Sequence, residues 1–231
     1  VKAAKAAIAE VVKDPERQLF WHTLFMTITM LIAARGVRHG LETVVRFAVP
    51  LLLVVLLALT VYVATTDAFA HAASVFFVPD FSKLTGMGVL AAVGHAFFSL
   101  GLGAGAMLMY GAYLGADAPI PRLSFYVVGL DTLTSLAVSL VVLSILFAGN
   151  VELSSGPSLV FQSLPLAFDH IPYGRILIVV LFGLLAVAAL TSAISLAEPV
   201  MVWLSEQFGM SLQRSAILCG ISVTALFGLL N

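Results

Sequence analysis

The stretch from Gly94 to Gly105 reads GHAFFSLGLGAG and lies in the middle of an apolar segment, residues 86–115. Four glycines in these twelve residues make a weak helix, because glycine loses the most backbone freedom on folding. Either Gly101 and Gly105 form a GxxxG close-packing face, or the helix is broken and its freed backbone groups bind an ion and a small solute. Periodicity alone does not distinguish the two, and a membrane-buried aspartate on a neighbouring segment favours the break.

Composition places this stretch in a membrane protein. The 231 residues are 61% hydrophobic and 10% charged, and the mean hydropathy is +1.11. A soluble domain has roughly 25% charged residues, so a soluble globule is excluded. The net charge of −1 gives no case for nucleic-acid binding, and the single cysteine, Cys219, excludes a disulfide framework. Strand-like alternation is absent, so we expect an all-α polytopic membrane protein.

Six apolar segments divide the chain into one transmembrane region. A span needs about 20 apolar residues, which makes the first and last segments marginal. The short loop containing Arg35 favours that side as cytoplasmic, although Lys2 and Lys5 ahead of the first segment argue the opposite. Because the chain starts at Val1 and ends in an apolar run, we expect it to be a fragment of a larger transporter. The segments are residues 20–34, 45–66, 86–115, 123–148, 173–204 and 214–231.

Asp131 is the clearest ionisable residue at membrane depth. It lies eight residues inside the fourth segment, and helical spacing places Ser135 on the same face. A carboxylate there costs about 2.5–3.5 kcal/mol on insertion scales. It either holds helices together or lines an ion or proton path, and we favour the second interpretation.

A third polar cluster lies between Ala188 and Pro199. Thr191 and Ser195 share one helix face, and Ser192 is adjacent. Their hydroxyls either bond back to backbone carbonyls of the same helix or, with those carbonyls, offer oxygen ligands to a hard cation such as sodium.

The sequence gives little evidence for a haem site or for a catalytic motif. Of the five histidines, only His22 and His95 are placed to ligate haem within spans, and no further spacing supports it. No P-loop, GxSxG, HExxH or CxxC motif occurs, so we expect no enzyme activity.

Taken together, these segments resemble the neurotransmitter:sodium symporter family, in particular its bacterial amino-acid-transporting branch. The resemblance covers almost the whole chain and keeps the order of the landmarks. It implies that the six segments are the family's helices four to nine and that the fold is part of a five-plus-five inverted repeat. The family's sixth helix, which is the third segment here, would be broken. It also implies that the helices missing from this chain complete the site. The matching stretches are residues 93–103, 130–133 and 190–195, Glu198-Pro199, residues 35–42 and residues 79–81.

The resemblance also implies roles for individual residues. Ser99 and Asp131 would bind the first sodium ion, and the Ala188 carbonyl, Thr191 and Ser192 would form much of the second sodium site. Phe98 would cover the substrate. The other substrate-binding positions would be Ser99, Gly101, Ala104, Ser192 and Leu196, and the cytoplasmic gate positions would be Tyr113 and Glu206.

Departures from the family pattern bear on the substrate and on chloride. Gly101 and Ala104 are smaller than the residues of some members, which indicates room for a larger apolar amino acid. Asp131 replaces an asparagine of chloride-dependent relatives, and His95 replaces a glutamine that helps them bind chloride. Both changes predict that chloride is not required. Ser135 matches the serine of chloride-binding members, so the anion question stays open.

The sequence therefore predicts sodium-coupled symport of an amino acid across the cytoplasmic membrane by alternating access. Sodium ions would be co-transported, and the partners would be the small substrate and the lipid bilayer. Two alternatives remain: a proton-coupled transporter or channel in which Asp131 titrates, and a structural or haem-containing membrane subunit.

Overall fold

The computed structural model describes residues 14–78, 80–151, 159–169 and 172–230. Lys2 and Lys5, used in the orientation argument, and Asn231, the last residue of the sixth predicted segment, lie outside these ranges. All regular structure in the described ranges is helical, and they contain no strand.

Nine α-helices form the described part of the chain. Three short turns of other helical type accompany them, a π-helical turn at Val37–Leu41, a 3-10 turn at Phe81–Lys83 and a second π-helical turn at Leu159–Ser163. The α-helices are α1 Pro15–Ala33, α2 Glu42–Ala64, α3 Asp67–Phe77, α4 Gly86–Ser99, α5 Ala106–Ala112, α6 Ile120–Ala148, α7 Leu164–Phe168, α8 Gly174–Phe208 and α9 Leu212–Leu230.

The first helix begins earlier than its apolar segment. The Asp14 side chain accepts a hydrogen bond from the Arg17 N–H at 3.1 Å, and Pro15 occupies the first helical position. An acidic N-cap followed by proline fixes a helix start irrespective of hydrophobicity. The prediction from residue 20 followed hydrophobicity alone and so missed this first polar turn.

Four stretches of the described chain are helical, long and apolar enough to cross a membrane: His39–Ala64, Ile120–Ala148, Gly174–Phe208 and Leu212–Leu230. Helix α1 is not among them, so the six-span organisation stays a prediction. At 1.5 Å per residue, the 35 residues of α8 extend about 52 Å. That length exceeds a hydrocarbon core of about 30 Å, so α8 reaches beyond the membrane interior.

The third predicted segment is not one helix, because α4 ends at Ser99 and α5 begins only at Ala106. Two connections also contain structure that the sequence did not indicate. Helix α3 occupies the stretch between the second and third segments, and α7 lies in the connection between the fourth and fifth.

The chain divides into two compact units. The first comprises residues 1–52 and 181–231. In it α1 packs against α9 in antiparallel register. His22 stacks on Phe227 near one end, with ring centroids 4.1 Å apart. Further along, a Cβ at Gly220 would lie 3.0 Å from Met30 Cγ, so a larger residue there would require the Met30 side chain to shift.

The second unit comprises residues 53–180. There α6 packs against α3 and α7, and the His71 ring contacts the Phe147 ring with centroids 4.5 Å apart. The Tyr62 hydroxyl donates a hydrogen bond to the Pro172 carbonyl at 3.0 Å. The core of this unit includes the fully buried side chains of Val63, Val141, Ile145, Leu146, Leu164 and Phe168.

Candidate functional site

The helix break in the second unit has a defined hydrogen-bond pattern. The Leu102 N–H donates to the Phe97 carbonyl at 2.9 Å, and the Gly101 N–H donates to the Phe98 carbonyl at 3.0 Å. These two bonds, with a left-handed glycine between them, form the Schellman motif that ends many helices. Gly101 has φ +67°, so the end of α4 is specified by the glycine itself.

Two more glycines in this segment have left-handed backbone. Gly103 has φ +86° and Gly105 has φ +81°, and Gly105 directly precedes α5. A non-glycine residue pays about 1–2 kcal/mol in this region of backbone space. Gly101 and Gly105 therefore do not form a helical GxxxG face, and the predicted break in the helix is confirmed.

At the edge of the break, Ser99 meets Asp131. The Ser99 hydroxyl, on the last residue of α4, donates a 2.6 Å hydrogen bond to Asp131 Oδ1 on α6. The two residues are 32 positions apart in the chain. Asp131 is half-buried and Ser99 is exposed, so the carboxylate is held by a hydroxyl while the surrounding space stays open.

This arrangement supplies the ligands that a hard monovalent cation prefers. A carboxylate, a hydroxyl and the backbone carbonyls of an interrupted helix are all oxygen donors. Within the described residues, no group of three or more His, Cys, Asp or Glu side chains could hold a metal ion. The ligands offered here are hard oxygen atoms, one of them charged.

The α8 cluster lies in the first unit, and here the hydroxyls bond to their own helix. The Thr191 hydroxyl donates to the Ala188 carbonyl at 2.9 Å, and the Ser195 hydroxyl donates to the Thr191 carbonyl at 2.9 Å. This backbone bonding was one of the two alternatives for this cluster. It brings together two of the predicted second-site oxygens, those of Ala188 and Thr191, whereas Ser192 is exposed.

The other predicted site residues all lie within the described chain. Phe98 is 85% exposed, next to the break. Tyr113 follows the end of α5, and Glu206 is exposed near the end of α8. His95 and Ser135 each lie one helical turn from the Ser99–Asp131 pair, and Gly101, Ala104 and Leu196 lie on the elements already described. Their roles stay predictions.

Glu198 is a residue to which the sequence assigned no role. It lies on α8 and is only 1% exposed. Neither carboxyl oxygen has a hydrogen-bond partner in the described part of the chain. The available signal was an acidic residue directly before Pro199 in an otherwise apolar run. Burial of both oxygens could not be read from that pattern, because it depends on which face of α8 is covered.

Outside the spans, Asp80 shows how this chain stabilises a loop carboxylate. Its Oδ1 accepts bonds from the Ser82 hydroxyl at 2.5 Å and from the Ser82 N–H at 3.1 Å. Lys83 Nζ lies 3.2 Å from Oδ2. These donors, Ser82 first and then Lys83, hold the pKa of Asp80 below its usual range.

Comparison with known proteins shows what this chain is similar to. Residues 13–231 match the profile of the sodium:neurotransmitter symporter family. The chain is 32% identical over 193 residues to the sodium-dependent transporter YhdH of Bacillus subtilis, covering 84% of this chain and 43% of that protein. It is 29% identical over 220 residues to the sodium-dependent nutrient amino acid transporter 1 of Drosophila melanogaster, covering 88% of this chain and 34% of that protein.

A solved structure, that of MhsT in complex with L-phenylalanine, is also similar. It shares 37% sequence identity and a TM-score of 0.86, over 97% of this chain and 51% of that chain. This match confirms the predicted fold class, a partial five-plus-five inverted-repeat transporter fold with a broken helix. The chain spans about half the length, or less, of the proteins that it matches.

The family consists of symporters, and four helical stretches here can cross a membrane. Both observations identify a multi-pass membrane protein, as the sequence predicted. The family match extends over nearly the entire chain. This chain therefore belongs to the sodium:neurotransmitter symporter family.

Proposed function

We propose that the protein containing this chain is a sodium-coupled symporter of amino acids in the cell membrane. The observation that carries the proposal is the 2.6 Å bond between Ser99 and Asp131 at the edge of a broken helix. Relatives described as sodium-dependent transporters support the choice of ion. In this proposal sodium ions are co-transported cargo.

In the first sodium site, Asp131 supplies the negative charge and Ser99 supplies a neutral oxygen. A half-buried carboxylate attracts a cation more strongly than one in water, because the surrounding dielectric is lower. The 2.6 Å bond to Ser99 fixes the carboxylate orientation before the ion arrives. When sodium binds, the Ser99 hydroxyl keeps its proton and rotates it away from Oδ1, so that the Ser99 oxygen and the Asp131 carboxylate both ligate the ion.

In the second site, the Ala188 carbonyl, Thr191 and Ser192 supply oxygens without formal charge. The Thr191 hydroxyl already bonds to the Ala188 carbonyl. The hydroxyl oxygen keeps its lone pairs while it donates this proton, so it can ligate an ion without breaking the bond. The remaining ligands of this site come from helices of the full transporter.

The substrate proposal is a larger apolar amino acid, such as phenylalanine. Phe98, Ser99, Gly101 and Ala104 lie along the break, and MhsT was crystallised with L-phenylalanine. Glycine at 101 and alanine at 104 leave space for an apolar side chain, and Phe98 supplies an aromatic surface to cover it. By the family resemblance, Ser192 and Leu196 are two further substrate-binding positions.

Coupling in this proposal is a difference in binding. Sodium must stabilise the substrate-competent, outward-open state more than the other states, since a ligand of equal affinity for all states shifts none of them. Tyr113 and Glu206 serve as cytoplasmic gate positions. The fixed negative charge of Asp131 takes the place of a bound chloride ion near His95 and Ser135, so transport does not require chloride.

The test is uptake by the full-length protein in proteoliposomes. Labelled phenylalanine should accumulate with an inward sodium gradient and fail to accumulate when choline replaces sodium at constant pH. Replacement of external chloride by gluconate should leave the rate unchanged. Sodium-independent accumulation would refute sodium coupling, and a strong chloride requirement would refute only the chloride proposal.

Proton coupling is the second candidate, and Glu198 favours it. A carboxyl at 1% exposure with neither oxygen bonded is costly as an anion in a membrane span. Uptake driven by a pH gradient in choline medium, lost in Glu198→Gln, would select this candidate. Uptake that requires sodium and is insensitive to a pH gradient would exclude it.

A further inference from the structure

A groove of about 550 Å³ lies between α1 and α9, entirely within the first unit. Apart from its charged end, its walls are mainly Met, Leu, Ile and Ala side chains, with one threonine and one glycine. The threonine, Thr27, donates its hydroxyl proton to the Thr23 carbonyl at 2.7 Å, so it offers no unsatisfied donor. The lining runs from Met26 to Leu31 on α1, continues through Ala34 and Arg35 just after that helix, and includes Gln213 to Ile221 on α9.

The groove has about the length of one membrane leaflet. Met26 and Arg35 are nine residues apart, and at 1.5 Å per residue the end of α1 and the turn after it extend along the groove for about 13 Å. Half of a hydrocarbon core of about 30 Å is about 15 Å. Beyond the Met26 end, His22 stacks on Phe227. A single acyl chain entering from the Arg35 end therefore matches the groove in length and in chemistry.

The opposite end of the groove is positively charged. Arg35 is exposed, and its guanidinium has no carboxylate partner within the described residues. Gln213 lies opposite it in the lining, and exposed Arg214 follows Gln213 in the first turn of α9. The two α9 residues are next to the start of the candidate span Leu212–Leu230, which places this end at the membrane surface.

We propose that this groove binds one anionic phospholipid, with an acyl chain along the groove that α1 and α9 form and the phosphate at Arg35. An arginine at the polar end of a leaflet-long apolar groove complements a phosphate above its acyl chain. The site is separate from the proposed transport residues and depends only on the membrane location of the chain. The rival occupant is a segment of the full-length protein, since the chain spans about half of its relatives.

The first experiment needs no variant. Purified full-length protein is incubated with dioleoylphosphatidylglycerol or dioleoylphosphatidylcholine in detergent, and retained lipid is counted by native mass spectrometry. We expect one phosphatidylglycerol to be retained at concentrations where phosphatidylcholine is not. If neither lipid is retained, the groove is occupied by protein or empty, and the proposal is overturned.

Two variants separate the charge from the groove. Arg35→Gln removes the phosphate contact and should weaken phosphatidylglycerol retention about fivefold, since one basic residue near a membrane surface contributes about 1 kcal/mol. Ala34→Phe fills the groove and should reduce retention while leaving Arg35 in place. Ala34 has ordinary helical backbone angles, so a larger residue fits its conformation.

Matched controls are Arg122→Gln, at an exposed arginine outside the groove, and Ala64→Phe, at the exposed end of α2. Both should retain the lipid as the wild type does. An equal loss of retained phosphatidylglycerol in Arg35→Gln and Arg122→Gln would show that the lipid responds to overall surface charge, and would overturn the site. Equal retention of both lipids by the wild type would overturn the choice of an anionic headgroup.

Discussion

The two candidate ion-binding regions offer oxygen to a cation in opposite ways. In the second unit, the helix is interrupted at residues 100–105, and a formal negative charge, Asp131, lies beside the interruption. In the first unit, α8 continues without interruption through Ala188 to Ser195, and its hydroxyls bond to its own carbonyls. One region breaks its backbone pairing and adds a charge, and the other keeps its pairing and stays neutral.

This difference shows how a membrane helix can present polar groups at acceptable cost. An unpaired backbone group in lipid costs several kcal/mol, so a break is tolerated only where it is buried in protein or lines a cavity. A back-bonded hydroxyl such as Thr191 avoids that cost but contributes only one neutral ligand. We therefore expect substitutions at the break to have larger effects than substitutions in α8.

The largest effect is expected from Asp131→Asn. The asparagine oxygen can still accept the hydrogen bond from Ser99, but the side chain no longer carries a negative charge. Interactions with a charged group contribute about 1.5–3 kcal/mol, so apparent sodium affinity should fall roughly 10- to 100-fold. The measurement is the sodium dependence of substrate binding to the full-length protein. Asp117→Asn, in the exposed loop before α6, is the control. Equal effects of both changes would contradict the special role of Asp131.

The next effect is expected from Gly101→Ala. Alanine at φ +67° carries about 1–2 kcal/mol of backbone strain, so the apparent melting temperature and substrate affinity should both decrease. Gly111→Ala is the matched control, because a Cβ there meets nothing within 4 Å and the residue is helical. That variant should be neutral or slightly stabilised. A melting temperature of Gly101→Ala at or above that of the wild type would argue against a specified break.

A smaller effect is expected from Thr191→Val in α8. The substitution keeps the shape and removes one neutral oxygen, so sodium affinity should weaken several-fold, corresponding to about 1 kcal/mol. Thr60→Val is the control, because the Thr60 hydroxyl likewise bonds back to its own helix, to the Leu56 carbonyl at 2.8 Å. If Thr60→Val weakens sodium affinity as much, the Thr191 hydroxyl acts only through helix stability.

The smallest effect concerns Asp80, a solvent-exposed carboxylate that serves as a reference for Asp131. Its pKa is lowered in the folded protein by Ser82 and Lys83, so the ionised carboxylate contributes to folding stability at pH values above its unfolded pKa. That contribution is lost as the pH falls through the lowered folded pKa. The melting temperature of Asp80→Asn should approach that of the wild type in acid. A difference that stays constant from neutral to acidic pH would show that Asp80 does not act through its charge.

The helix break has a local cause, so the glycine pattern made it one of two possibilities, and Asp131 on a neighbouring segment favoured it. Glycines at 101, 103 and 105 permit left-handed backbone that other residues avoid, and the Schellman bonds form between residues only a few positions apart. The start of α1 was equally local, but the Asp14–Pro15 signal lies outside the apolar segment and was not used.

The contacts that build the site were not predictable from composition and spacing. Ser99 and Asp131 are 32 residues apart, and their contact depends on how α4 and α6 lie in the folded chain. Sequence proximity could not indicate it, so the pairing came only from family resemblance. The burial of Glu198 is likewise set by packing of α8. In both cases tertiary structure determines what the linear pattern leaves open.

The pairing of α1 with α9 has a consequence for biosynthesis. His22 and Phe227 are in contact in the folded unit, yet about 200 residues are translated between them. At about 5–20 residues per second, α1 leaves the ribosome roughly 10–40 s before its partner exists. During that interval the α1 face that later packs on α9, including the imidazole of His22, needs a temporary neighbour in the membrane. We therefore expect lipid headgroups or insertion factors to contact this face of α1 until α9 has been made.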